Sequence, residues 1–269
     1  MSWQPPGPAL LFCPGDRPDR FGKAAGIADA VIVDLEDGVA PADKPAARLA
    51  LAQAGLDPAR TVVRINAVGT ADHALDLAAL AGTPYDVVML AKTETAEQVR
   101  GLAPREVVAL CETPAGVLAA ADIAARSAAV MWGAEDLIAG LGGRSSRRAD
   151  GTFRDVATHA RSQVLLAAGA AGVPAIDTIH VDFTDLSGLA VQADDAAGSG
   201  FAALACIHPR QVEVVRAAFR GTDEEIAWAH RVLAEAAGRP GAFRFEGRMV
   251  DAPVLRHAAL IIARSQDRT

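Results

Sequence analysis

An α/β chain closed into a (β/α)8 barrel is the fold this sequence predicts, on three observations. Eight short apolar runs rich in Val, Ile, Leu and Ala recur up to Ile207, a helix-compatible stretch follows nearly every one, and aromatics make up only 4% of the chain. Strand–helix alternation implies parallel pairing, and parallel strands buried on both faces read as branched aliphatic runs. Eight such units in about 200 residues close on themselves.

The runs lie at 9–13, 30–35, 61–65, 86–90, 107–111, 128–132, 175–179 and 202–207. Pro41 suits the first turn of a helix over 42–54, and Thr113-Pro114 and His208-Pro209 mark later helix starts. Beyond the eighth run come two helical stretches, 210–219 and 224–237, an extended piece at 243–248 and a final helix at 252–263. The expected architecture is therefore a TIM (β/α)8 barrel over 1–220 with a C-terminal helical extension over 221–269, forming one functional domain. That tail would cap the barrel or reach a neighbouring subunit.

Composition narrows the function. With 51% hydrophobic and 22% charged residues a large core is expected. A net charge of −7 argues against a general nucleic-acid binder. Cys13, Cys111 and Cys206 lie far apart in apolar runs, so buried thiols are expected rather than zinc or a disulfide framework. The first residues show no signal pattern and no stretch long enough to span a membrane, which points to a cytoplasmic protein without membrane partners.

In such a barrel chemistry sits at the C-terminal strand ends. Those ends carry Asp34-Leu35-Glu36-Asp37, Arg64-Ile65-Asn66, Lys92, Glu112, Gly133-Ala134-Glu135-Asp136, His180 with Asp182, and His208, so ionisable groups converge on one mouth. Glu112 and Asp136 follow adjacent strands and suit a hard cation such as Mg²⁺, or form a surface carboxylate pair. Arg64, inside an apolar strand, either pairs with Asp34 or Glu36 or faces an anionic ligand. Alternation sends Asp34 and Glu36 to one side, where two acids need a cation or a shared proton. Lys92 either positions a carboxylate or pairs with nearby Glu94, and the pairing with Glu94 is the expectation. The Gly-rich basic loop 140–148 either holds phosphates or is a solvated loop. His73, His159, His230 and His257 are expected at the surface or as satisfied core residues, and no serine-hydrolase elbow is present.

Eight stretches in order then carry a resemblance. They are Leu-Phe-Cys-Pro-Gly at 11–15, Asp-Leu-Glu-Asp-Gly-Val at 34–39 followed by Lys44 and Arg48, Val-Arg-Ile-Asn at 63–66 and Cys-Glu-Thr-Pro-Ala-Gly at 111–116. Further along come Trp-Gly-Ala-Glu-Asp-Leu at 132–137, Ala-Ile-Asp-Thr-Ile-His-Val-Asp at 175–182, Cys-Ile-His-Pro-Arg-Gln at 206–211 and Gly-Arg-Met-Val-Asp-Ala-Pro-Val at 247–254. Across nearly the whole chain the sequence resembles the citrate lyase β-subunit-like branch of the HpcH/HpaI aldolase family. One departure is that Pro8 and Ala9 stand where many members carry Arg-Ser beside the thioester carrier.

The resemblance implies a Mg²⁺-dependent carbon–carbon lyase (Mn²⁺ as an alternative ion) that splits a β-hydroxyacyl-CoA of the citramalyl-CoA, malyl-CoA or 3-hydroxy-3-methylglutaryl-CoA type into acetyl-CoA and a keto acid. It makes Glu112 and Asp136 the metal ligands and Arg64 the contact to substrate oxygens. Gly133 and Ala134 become the backbone of the keto-acid pocket, and Glu36 and Asp37 the acidic pair beside the metal. Ile207, His208 and Pro209 match a segment near the CoA nucleotide. Asp251 matches an aspartate that enters the active site of the next subunit of a homotrimer. Arg64, Glu36 and Asp251 are thus the expected catalytic groups, and Glu112, Asp37, His208 and Pro209 join Arg64, Gly133 and Ala134 around the substrate. Two alternatives stay open. One is a thioesterase acting on the same esters. The other is a citrate lyase β-like subunit working on an acyl-carrier-protein thioester.

Overall fold

The computed structural model describes residues 3–239 and 241–266. Its strands are β1 (Ala9–Pro14), β2 (Ala30–Asp34), β3 (Thr61–Ile65), β4 (Val87–Leu90), β5 (Glu106–Cys111), β6 (Ala129–Trp132), β7 (Ala175–Asp177) and β8 (Ala203–Cys206). They pair in parallel in sequence order, and β1 returns to β8 through Ala9↔Leu204, Leu10↔Ala205 and Leu11↔Cys206, closing the barrel. The eight predicted runs are these eight strands, each shifted at its ends by no more than a residue or two.

Period-two alternation decides what fills the barrel. Leu10, Ile32, Val62, Met89, Val108, Leu110, Ala129, Met131, Ile176, Ala203 and Ala205 form one buried cluster, with Trp3 and Phe12 packed against it. The intervening residues, such as Leu11, Val33, Val63 and Val88, are equally buried because helices cover the outer face. Cys13, Cys111 and Cys206 are buried on β1, β5 and β8 and form no disulfide, and burial pushes Cys111 up to about 12.

Helices between the strands start where the residue types predict, with one correction. The second helix, α2 (Lys44–Ala52), carries Pro45 in its first turn rather than Pro41. Pro41 lies in a turn that Asp43 N–H closes onto the carbonyl of Ala40. The short helix Pro114–Leu118 is capped by the Thr113 hydroxyl, which accepts the Gly116 N–H, with Pro114 at its first position. Helix α8 (Asp155–Ala171) ends on Gly172 at φ 69°. There a left-handed residue terminates the helix, and glycine adopts it without a Cβ clash.

The described residues divide into two compact units between Val215 and Arg216, inside the helix Pro209–Arg220. The second unit contains the helix Asp223–Ala236, a hairpin of strands Phe243–Phe245 and Arg248–Val250, and the helix Ala252–Gln266. Thr222 caps its first helix in a reciprocal box with Glu225. Ala229, Val232, Val250 and Ala258 form its own buried core, with Trp228, Phe243, Leu255 and Ile262 packed around it. Among the described residues no helix is long and apolar enough to cross a membrane.

Candidate active site

The inward-facing series on each strand does not stop where the apolar layers stop. Continued by two residues toward the C-terminal end, Leu10 leads to Phe12, Ile32 to Asp34, Val62 to Arg64, Leu110 to Glu112, Met131 to Gly133, Ile176 to Thr178 and Ala205 to Ile207. All of these line a single cavity of about 250 Å³ together with Ala134 and Asp136. The barrel floor is therefore oil and its mouth is charge, on one set of strands.

Arg64 is the centre of that mouth. It pairs in register with Asp34 across β2 and β3. Its Nε and Nη2 donate to the two carboxylate oxygens of Asp34 at 2.7 and 2.6 Å, and Nη1 lies 3.1 Å from Glu36 Oε2. The guanidinium sits 4.9 Å from the centre of the Phe12 ring. Burial opposes its charge, but Asp34, Glu36 and Glu112 more than offset that and hold it protonated above the ordinary arginine range. Of the two sequence readings of Arg64, the internal ion pair is present, and the residue also lines the cavity. Asp34 is held in turn by the N–H groups of Glu36 and Gly38, both at 2.9 Å. A Cβ on Gly38 would collide with that carboxylate, so the close approach requires glycine.

Lys92 overturns its sequence expectation. Its ammonium bonds to Glu36 and to Asp37 (2.9 Å) and lies 3.6 Å from Asp136; it does not pair with Glu94. The residue has φ 50°, which turns its side chain back across the mouth and its N–H onto Glu112 Oε1 at 3.0 Å. Burial raises the proton affinity of Glu36 against the pull of Arg64 and Lys92. Partial burial acts on Asp37 too, yet the Lys92 ammonium holds it below the usual carboxylate range.

Glu112 and Asp136 are the pair able to hold a cation. Glu112 is 3% exposed, and burial followed by the charge of Asp136 pushes its carboxyl up to about 8. A buried oxygen donor whose ionisation the neighbouring carboxylate opposes, beside a second hard oxygen donor, fits a divalent ion that supplies the missing positive charge. Among the described residues no group of three or more His, Cys, Asp or Glu is placed to hold one metal ion, so an ion on this pair would keep positions for water or substrate. Gly133 sits against Glu112: a Cβ there would lie 2.6 Å from Glu112 Cβ and 2.8 Å from Oε2. The next N–H, of Ala134, donates to Thr178 Oγ1 at 3.2 Å.

Behind that wall Asp177 is fully buried on β7. It accepts the Trp132 indole N–H at 2.6 Å, the Arg161 guanidinium at 2.8 Å and the Thr178 N–H at 2.9 Å, tying the ends of β6 and β7 together. Thr178 and Asp177 carry no site role in the sequence reading, which places Asp34 and Lys92 at the mouth without naming the carboxylates that Lys92 reaches.

The remaining expected residues fall elsewhere. Ile207 lines the cavity, while His208 stacks on Phe183 with centroids 5.1 Å apart and Pro209 begins a helix. Asp251 belongs to the second unit, where its carboxylate accepts the Val254 N–H at 3.4 Å. In the basic loop Arg147 lies 3.9 Å over the Phe153 ring and donates to Gly151 O and to Gln192 Oε1, Ser146 donates to Glu135, and Arg148 pairs with Asp155. His159, His230 and His257 are exposed on helices; His73 Nδ1 sits 2.8 Å from Asn66 O.

This arrangement has relatives. The HpcH/HpaI aldolase/citrate lyase family model matches residues 9–209. The "citrate lyase subunit beta-like protein" of Mycobacterium tuberculosis is 59% identical, over 100% of this chain and 99% of that protein. The mitochondrial citramalyl-CoA lyase of Mus musculus is 31% identical over 96% of this chain and 85% of its own. A crystal structure of CitE from Mycobacterium tuberculosis in complex with magnesium, acetoacetate and coenzyme A superposes with a TM-score of 0.93 at 60% identity, covering 96% of this chain and 98% of that one. From the barrel, the site at its mouth and these matches it follows that the chain belongs to the HpcH/HpaI aldolase/citrate lyase family and is a carbon–carbon lyase.

Proposed function

We propose that the chain cleaves a β-hydroxyacyl-CoA thioester into acetyl-CoA and a keto acid in a Mg²⁺-dependent reaction, with citramalyl-CoA, malyl-CoA and 3-hydroxy-3-methylglutaryl-CoA as the candidate substrates. The observation that carries this reading is the convergence of Arg64, Glu112, Asp136 and the Gly133–Ala134 backbone on one cavity. The naming of magnesium, acetoacetate and coenzyme A in a structure 60% identical to this chain supports the ion and the thioester class.

Glu112 and Asp136 would hold the ion, which when bound supplies Lewis-acid polarisation of the substrate's hydroxyl and carboxylate oxygens. The fork from Arg64 to Asp34 occupies Nε and Nη2, and Nη1 also lies 3.1 Å from Glu36 Oε2; its second N–H would stabilise negative charge as the thioester becomes an enolate. Glu36, beside that edge and with its proton affinity raised, accepts the substrate hydroxyl proton. The bond between the hydroxyl-bearing carbon and the thioester α-carbon breaks, and its electron pair stays on the α-carbon. Asp251 from an adjacent copy in a homotrimer would return a proton there; the sequence resemblance of stretch 247–254 supports this assignment.

The test is keto-acid release from the three CoA esters, with Mg²⁺ (or Mn²⁺) and with EDTA. Metal-dependent pyruvate, glyoxylate or acetoacetate is expected. Free hydroxyacid without keto acid would replace the lyase by a thioesterase. Turnover only with an acyl-carrier-protein thioester would favour a citrate lyase β-like subunit, a reading that the substitution of Pro8 and Ala9 for Arg-Ser supports.

A further inference from the structure

Glu36, Asp37, Glu112 and Asp136 lie at the mouth of the barrel, and one residue outside the chemistry above reaches all four, three through its side chain and one through its backbone N–H. Lys92 follows β4 in the left-handed region at φ 50°, a conformation non-glycine residues rarely adopt. This backbone directs two different atoms in two directions. The N–H points to Glu112 Oε1 at 3.0 Å, while Nζ bonds to Glu36 and Asp37 and lies 3.6 Å from Asp136 Oδ1. The side chain is 31% exposed, so the ammonium is reachable from solvent without being free in it.

We propose that Lys92 is a positioning residue that serves as resident counter-cation of the metal site: its ammonium competes with a divalent ion for Asp136, while its N–H holds Glu112 in place to receive that ion. The inference rests on the metal reading above. The physical ground is charge. Glu36, Asp37 and Asp136 would repel one another without a cation among them, and the ammonium supplies it where no ion is bound. A dication shared by Asp136 and Glu112 then meets a positive charge within a few ångströms of one of its own ligands. The ammonium therefore weakens cation binding, and the N–H strengthens it by fixing a ligand.

The two roles sit on different atoms, so they separate by substitution. Lys92→Gly removes Nζ, keeps the N–H and adopts φ 50° without strain. Lys92→Gln removes the charge but leaves the backbone no more strained than lysine does. Lys92→Arg keeps the charge. Mn²⁺ affinity of the full chain, read by electron paramagnetic resonance without substrate, should tighten about tenfold or more in Lys92→Gly and in Lys92→Gln, and stay within about threefold of wild type in Lys92→Arg. Thermal melting checks that each variant folds, and the Gln variant carries the test if the Gly variant does not. A lysine that only braces the loop predicts the opposite sign, because looser carboxylates bind metal more weakly. Wild-type Mn²⁺ binding with unchanged or weaker binding in the uncharged variants overturns the Lys92 inference alone. Absence of Mn²⁺ binding by the wild type overturns the metal reading, and this inference with it.

Discussion

Glu112→Gln should make the metal-free protein more stable while removing its metal response, and the size of the effect follows from burial. The folded-state carboxyl is pushed up to about 8 from an ordinary value of 4.5, by desolvation and then by Asp136. The folded chain thus holds a proton that the unfolded chain releases between those values, so stability falls as pH rises through that window. At ~1.4 kcal/mol per pH unit the loss is on the order of 5 kcal/mol by pH 8 as an upper bound. Gln is uncharged and isosteric, and its Oε1 still accepts the Lys92 N–H. Denaturant unfolding in EDTA at pH 5 to 8.5 is the assay. Wild-type stability should decline with pH, Glu112→Gln should be nearly flat across this window, and the variant should exceed wild type at pH 8. Added Mg²⁺ should stabilise wild type, more strongly as pH approaches 8, and leave the variant unmoved. A flat wild-type profile in EDTA, or a variant less stable than wild type at pH 8, would refute the account of Glu112 as a buried carboxylate awaiting a cation.

Arg64→Lys should lose about two orders of magnitude or more in kcat, since one ammonium cannot bind Asp34 by a fork and also face the cavity; a wild-type rate would show that the residue is only a brace. In Gly133→Ala the new methyl meets Glu112 at 2.6 Å with no backbone strain, because φ is −119°. Displacing Glu112 should cost about 1–3 kcal/mol and weaken Mn²⁺ binding sharply, and unchanged Mn²⁺ affinity would dissociate Gly133 from the ion site. Asp177→Ala leaves Arg161 only its bond to the exposed Asp195 and leaves the Trp132 indole N–H unpaired in the interior; a loss of about 1–3 kcal/mol in chemical unfolding is expected, and a loss under about 1 kcal/mol would remove Asp177 as the tie between β6 and β7.

Much of the site could be read in advance because a barrel makes it a local property. The residue two places beyond the last apolar inward position on each strand faces the mouth, whatever the rest of the chain does. That rule alone places Asp34, Arg64, Glu112 and Gly133 together. It also explains the near miss at α2: the turn closed by Asp43 on Ala40 is a matter of how the chain leaves the mouth after Asp37, so Pro41 ends up outside the helix.

The sequence by itself determined the eight-stranded barrel and the strand ends that carry charge, because periodicity, capping residues and strand length act over a few neighbouring residues. Only the tertiary structure decided which charges pair. Lys92 has Glu94 two places away, yet its ammonium reaches Glu36 and Asp37, more than fifty residues earlier. The left-handed turn at its own backbone points it across the barrel mouth, where unneutralised carboxylates hold it more strongly than a solvated neighbour can. Likewise Trp132, Arg161 and Thr178 find one another only through Asp177, since a buried carboxylate draws donors from every element that closure of the barrel brings within reach.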